Sequence, residues 1–310
     1  MSYYLQNTVK NEFSLSGISL HSGRKVNMKV RPAPANHGIK FFRTDIFDKN
    51  PIVLAVYDSV SDTKFCTKIS NSDGISVQTI EHFMAALAGT GVHNALIEID
   101  GPELPILDGS SREFVKKILF VGKISLQEPL SGFRVTKEVK VVEGLAWAKF
   151  IPAESLSIDF WIDYSDTIIG SQNLSLSMKN GTFVRELCDS RTFCRGSEIS
   201  MLKSRGLAKG GNLENAIVLE TTRIRNLGGF RREDECVRHK MLDAVGDLNL
   251  AGGPILAAFS SNRGGHTLTN KLLRAAFLDK NNMLPTIIGK DHTTQLLGFD
   301  LCESDLCNLI

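Results

Sequence analysis

One order of elements occurs twice in this chain, and it limits the fold more than any single motif does. Thr79 to Gly89 (TIEHFMAALAG) carries apolar residues at helical spacing and ends on Gly89, a common helix stop. Ala95 to Ile99 follows as a strand, then the turn GPELPILDG, then Ser110 and Glu113 as a capping box opening a short helix through Leu119. Later, a helix from Asp234 to Leu250, an apolar strand Ile255 to Phe259, a Gly-rich turn and a helix from Thr267 to Leu278 repeat that order. The spacing repeats as well: His82 precedes Asp108 by 26 residues, and His239 precedes His266 by 27.

Strands fill the space around these units. Val26, Met28 and Val30 alternate with polar residues, as do Leu156, Ile158, Phe160 and Ile162, the period of half-buried strands. The repetition therefore predicts an α+β fold. Two copies of a layered domain, each a sheet carrying two helices on one face, pack helix layer to helix layer as a duplicated two-domain sandwich. The expected domains are residues 1–126 and 127–280, joined near Gln127 to Gly132 (QEPLSG), with 281–310 as a surface tail of unassigned role. Residues on the facing sides of the two helix layers would meet in one cleft.

Composition removes several classes of function. At 310 residues, with 42% hydrophobic and 23% charged residues, the chain can bury a core. Thirty-six Lys plus Arg against thirty-four Asp plus Glu leave +2 with no run of like charge, so no footprint for nucleic acid or an anionic membrane is present. No apolar stretch approaches the ~18 residues of a membrane helix, and Met1 to Phe13 lacks a signal-peptide apolar region, so a cytoplasmic protein is expected. Cys66, Cys188, Cys194, Cys236, Cys302 and Cys307 form no C-x-x-C pair and read as free thiols without a metal role. The Gly-rich segment Ser204 to Val218 lacks the G-K-[ST] ending of a P-loop, and no G-x-G-x-x-G follows a strand.

The chemistry-bearing residues fall on the repeated helices. His239 and Asp243 are four apart, so both leave one helix face one turn apart, which is ligand spacing and equally the spacing of a surface ion pair. Asp247 continues that row, and Glu81 with His82 forms a second group on another helix. A zinc hydrolase needs three protein ligands and a carboxylate that accepts a proton from water, and His82, His239 and Asp243 with Glu81 would meet that need. There is no H-E-x-x-H, and Gln78 breaks the reversed form. His266 opens a helix after two glycines, where backbone donors converge, and reads either as a site residue or as a structural histidine. His21, His37, His93 and His292 have no partner pattern.

TIEHFMAALAG, IDGPELPILDGSS, RTF at Arg191 to Phe193, RHKMLDAVGDL and GGHTLTNKLL, in that order from about Gly17 to Leu278, closely resemble the UDP-3-O-acyl-N-acetylglucosamine deacetylases, zinc enzymes of lipid A biosynthesis in Gram-negative bacteria. The resemblance implies a zinc ion held by His82, His239 and Asp243, with Glu81 as general base. It implies that His266 is a general acid or charge stabiliser oriented by Asp247, and that Thr192 helps to bind the oxyanion. Phe193 is implied in the substrate cleft and Lys240 near the UDP phosphates, and Arg263 stands where the family often has another cation. An apolar passage for the fatty acyl chain is implied at SRGLAKGGNLENAIV, lined by Leu207, Ala208 and Ile217, and Cys66 is implied near the acyl route. Core packing is the alternative for those three residues, and a buried small hydrophobe is the alternative for Cys66. The expected partner is the UDP-3-O-acyl-N-acetylglucosamine substrate, with no nucleic acid, no transmembrane segment and a monomeric state. Two rival readings stand beside it: a zinc amidohydrolase acting on another N-acetylated sugar, and a non-catalytic sugar-nucleotide or lipid-binding protein.

Overall fold

A computed structural model describes residues 3–290, 296–301 and 303–307, so His292 and Cys302 lie outside the described residues. The first half runs β1 (Leu5–Val9), β2 (Phe13–Ile18), β3 (Lys25–Pro32), β4 (Ile39–Arg43), β5 (Ile52–Leu54), β6 (Val60–Asp62), β7 (Lys68–Ser70), β8 (Ser76–Gln78), α1 (Glu81–Thr90), β9 (Ala95–Ile99), α2 (Arg112–Val121) and β10 (Lys123–Pro129). The second runs β11 (Ser131–Val135), β12 (Val139–Glu143), β13 (Ala146–Pro152), β14 (Ser157–Tyr164), β15 (Gly170–Ser177), β16 (Phe193–Arg195), α3 (Ile199–Ser204), β17 (Ile217–Leu219), α4 (Glu235–Leu248), β18 (Ile255–Asn262), α5 (His266–Leu278), β19 (Met283–Ile287) and α6 (Glu303–Cys307). The protein is mixed α+β, as its periodicities predict.

Each half builds a sheet from alternating residues. In the order β2-β3-β9-β4-β5, the first sheet turns Val26, Met28 and Val30 of β3 inward. The second joins β12-β13-β18-β11-β19, with β14 beside β18 and β15 beside β14. Ile158, Phe160 and Ile162 of β14 are buried. Helix α2 hides Phe114, Val115 and Ile118, and α5 hides Leu268, Leu272, Leu273 and Ala276, each leaving its charged face outside.

Helices α1 and α4 are different, because nearly every residue of both is buried, and they pack along one another between the sheets. Gly246 permits this approach: a Cβ there would lie 2.0 Å from the Glu81 carbonyl oxygen. Opposing α1 against α4 brings Glu81 and His82 of the first half to His239, Asp243 and Asp247 of the second.

Three expectations need correction. Helix α1 begins at Glu81 and not Thr79, since Thr79 is held at φ 57°, outside the helical region. The capping box does not form: the Ser110 hydroxyl donates to Asp108 at 2.8 Å and accepts the Arg112 N–H at 3.1 Å, because a nearer carboxylate competes for it. Within QEPLSG, Gln127 to Pro129 complete β10 and Ser131 opens β11, with Leu130 between them. Residues 281–310 are more than a surface tail. Strand β19 pairs antiparallel with β11, and Ile288 and Leu296 are buried against Leu130 and Leu256.

Candidate metal centre and catalytic cleft

His82 from α1 and His239 and Asp243 from α4 converge so that one potential ligand atom from each lies within 4.8 Å of the others. Asp243 Oδ1 stands 3.6 Å from His82 Nε2 and 3.4 Å from His239 Nε2, and neither contact has hydrogen-bond geometry. That oxygen is buried without a hydrogen-bond partner, which is costly for a carboxylate. The other oxygen accepts Lys240 Nζ at 2.7 Å. His239 Nδ1 lies 3.0 Å from the Ser190 carbonyl, and donation there leaves the Nε2 lone pair free toward Asp243. Three buried acceptors thus face one point with no donor between them, a donor set that fits a divalent cation.

The electrostatics agree. Burial pushes the pKa of His239 down to about 3 against the pull of Asp243, keeping the ring neutral and able to ligate. Burial also opposes a charge on Asp243, yet His239 and Lys240 hold its carboxyl well below the usual range. Lys240 titrates above its ordinary value because Asp243 outweighs burial.

Two further groups flank the triad. Glu81 Oε2 accepts the Thr67 N–H at 2.9 Å, and Oε1 lies 4.0 Å from His266 Nε2. Burial raises the Glu81 pKa against the lowering pull of His266 and His82. His266 Nδ1 lies 2.8 Å from Asp247 Oδ2, while Asp247 Oδ1 accepts the Thr67 hydroxyl at 2.6 Å. Burial works against an imidazolium here, but Asp247 first, then Glu81 and Asp243, push the pKa of His266 up to about 9. Thr67 therefore fastens both carboxylates, and no motif signals it.

The cleft lined by Glu81, His82, His239, Asp243 and His266 has a volume of about 480 Å³, and Thr192, Phe193, Lys240 and Arg263 also line it. Thr192 is fastened by its own N–H to the Gly109 carbonyl at 2.8 Å. The preceding Arg191 forms a buried ion pair with Glu235 at 2.9 Å, tying the segment to the first turn of α4. Phe193 meets the His239 ring edge-on at 6.1 Å and Tyr164 at 5.2 Å. Arg263 adopts φ 52° and pairs with Asp163, and Lys240 is engaged by Asp243.

An apolar cavity of about 330 Å³ opens beside the cleft and shares Leu20, Phe65, Thr192, Phe193, Cys194 and Leu202 with it. Ala208 lines this cavity, but Leu207 and Ile217 do not. Ile217 is a fully buried core residue of β17, where pairing with β16 turns it inward. Cys66 lies behind the wall, buried, and burial drives its thiol pKa up. Helix α3, which lines the cavity through Ile199 and Leu202, is short and carries no distinctive pattern. The five described cysteines are free.

Fold and site together define a class: an α+β protein whose two halves each supply part of a buried His-His-Asp metal centre, with a carboxylate and a carboxylate-held histidine beside it. The sequence profile of the UDP-3-O-acyl N-acetylglycosamine deacetylases matches residues 6–277. The chain is 42% identical over 279 residues to the UDP-3-O-acyl-N-acetylglucosamine deacetylase of Haemophilus influenzae (strain 86-028NP), covering 89% of this chain and 90% of the relative. It is equally 42% identical over 281 residues to that of Actinobacillus pleuropneumoniae serotype 3 (strain JL03), covering 89% and 91%. For that of Pasteurella multocida (strain Pm70), the identity is 42% over 279 residues, covering 89% and 90%. The chain belongs to the UDP-3-O-acyl N-acetylglycosamine deacetylase family, a family of metalloenzymes.

Proposed function

We propose that this chain is a zinc-dependent hydrolase that removes the N-acetyl group from UDP-3-O-acyl-N-acetylglucosamine in lipid A biosynthesis, releasing acetate and the free 2-amino sugar nucleotide. The observation that carries this reading is the unpartnered Asp243 Oδ1 facing two histidine Nε2 atoms, with Glu81 and His266 at its side. Two nitrogens and one carboxylate oxygen suit zinc with an open position. Bound zinc lowers the pKa of water toward ~7 and polarises a carbonyl oxygen.

The protein's own groups do the rest. Glu81, held through Oε2 by Thr67, presents Oε1 to take the proton of the attacking water. Thr192 and the Nε2–H of His266 are donors for the oxyanion that develops on the acetamide. His266, kept protonated by Asp247, passes its proton to the departing amine nitrogen, so water and amide become acetate and free amine. Phe193, Lys240 and Arg263 line the sugar-nucleotide side of the cleft, and the apolar cavity past Leu202 and Ala208 receives the acyl chain. A cavity of this kind favours an acylated substrate over a bare sugar, and a mere binding protein has no need of Glu81 beside a ligand set.

Domains at 1–126 and 127–280, a cytoplasmic location and a monomeric state complete the reading. Among the described residues no helix is long and apolar enough to cross a membrane. The test is acetate release from UDP-3-O-acyl-N-acetylglucosamine, with and without a chelator. Chelator-sensitive release supports the assignment, and release only from a non-acylated N-acetyl sugar overturns it.

A further inference from the structure

A second cavity, of about 360 Å³, lies away from the metal centre, where α1 and α4 end. Its walls come from both halves: Val56 and Ala88 from the first, Met178 and Leu256 from the second, and Leu297 from the C-terminal segment. Most of that lining is apolar. Among the polar side chains on it, His93 has a hydrogen left over. His93 Nδ1 accepts the Asn7 N–H at 2.9 Å, which obliges the neutral ring to carry its hydrogen on Nε2, and among the described residues nothing accepts it.

A cation stands at the same end. Gly91 and Gly298 line the cavity there, and the Lys123 ammonium behind them donates to the Thr90 carbonyl and, at 3.1 Å, to the Gly298 carbonyl. Both partners are neutral, and among the described residues no carboxylate pairs with Lys123. A part-buried cation without a counter-charge is costly, and an anion brought beside it recovers that cost. The cavity thus offers an unused N–H donor, an unbalanced positive field beside it, and aliphatic walls.

We propose that this cavity is a second ligand site, for an apolar carboxylate of the fatty-acid class, with the carboxylate on His93 Nε2–H in the field of Lys123 and the chain against Met178 and Leu256. It is separate from the acyl cavity beside the catalytic cleft, with which it shares no lining residue.

Decanoate titrated into the metal-loaded enzyme labelled with ¹³C-methyl methionine tests this. Met178 lines the second cavity, and Met201 is the neighbour in α3 of Leu202, which lines the acyl cavity. The expected result is a saturable shift of the Met178 methyl, with decanol, which lacks the charge, binding about tenfold or more weakly. Val56→Trp, which fills the cavity, should abolish the Met178 response and leave deacetylation unchanged. If that variant loses activity through misfolding, Ala88→Leu takes its place. A Met178 methyl that stays still while Met201 responds overturns the site, and equal binding of decanol and decanoate overturns the assignment of a carboxylate.

Discussion

Asp247 divides its two oxygens between His266 Nδ1, 2.8 Å from one, and the Thr67 hydroxyl, 2.6 Å from the other. The carboxylate is therefore fixed from both halves of the chain before it acts on the histidine, and His266 is charged because of it. Burial alone would drive the pKa of His266 down, and the carboxylates hold it at about 9.

Asp247→Asn should accordingly lower the pKa of His266, moving the alkaline limb of kcat/KM to lower pH and reducing the rate at pH 8 more than at pH 6. The sign for stability follows from a raised folded-state pKa: the pair stabilises the fold fully below the ordinary histidine value of 6.5 and stops doing so as the pH rises through about 9. Imidazole titration by NMR together with the pH–rate profile measures both effects. An unmoved alkaline limb would mean that it reports another group.

Gly246→Ala should damage the site without touching any ligand. The added methyl would meet the Glu81 carbonyl at 2.0 Å, so α1 must retreat from α4. The melting temperature should fall by several degrees, and zinc affinity should fall with it, because His82 moves with α1. Wild-type stability and metal content in this variant would show that the helix contact is slack.

For the acyl cavity, Leu202 and Ile217 make a matched pair of tests. Leu202→Trp, at the junction of cleft and cavity, should shift preference toward shorter acyl chains with little change in melting temperature. Ile217→Ala removes a fully buried core side chain and should cost ~2–5 kcal/mol of stability with the chain preference unchanged. Reversal of the two outcomes would place the passage on the other side of β17.

Periodicity makes much of this legible, and its limits are physical. Strand β3 and helices α4 and α5 show their period over eight or more residues, so they can be read from the residues alone. Strand β19, MLPTI, does not alternate apolar with polar residues and contains Pro285, so it carries no such signal. The two ligand-bearing helices can be found, but not how they are held. Thr67 secures Glu81 and Asp247 from a turn, and the Ser190 carbonyl orients His239 with a backbone atom whose identity leaves no trace in the residue type. Leu207 and Ile217 lie off the cavity lining while Ala208 is on it, and the residues hide that difference, because beside glycines an apolar residue on a cavity wall and one off it look the same.

Glu81→Gln, assayed for both zinc content and acetate release, addresses the central claim most directly. The substitution keeps His82, His239 and Asp243 in place and removes only the proton acceptor 4.0 Å from His266 Nε2. About one zinc per chain should remain bound while deacetylation of UDP-3-O-acyl-N-acetylglucosamine falls by ~10² or more. A zinc-loaded Glu81→Gln enzyme working at near wild-type rate would contradict the assignment of Glu81 as the base.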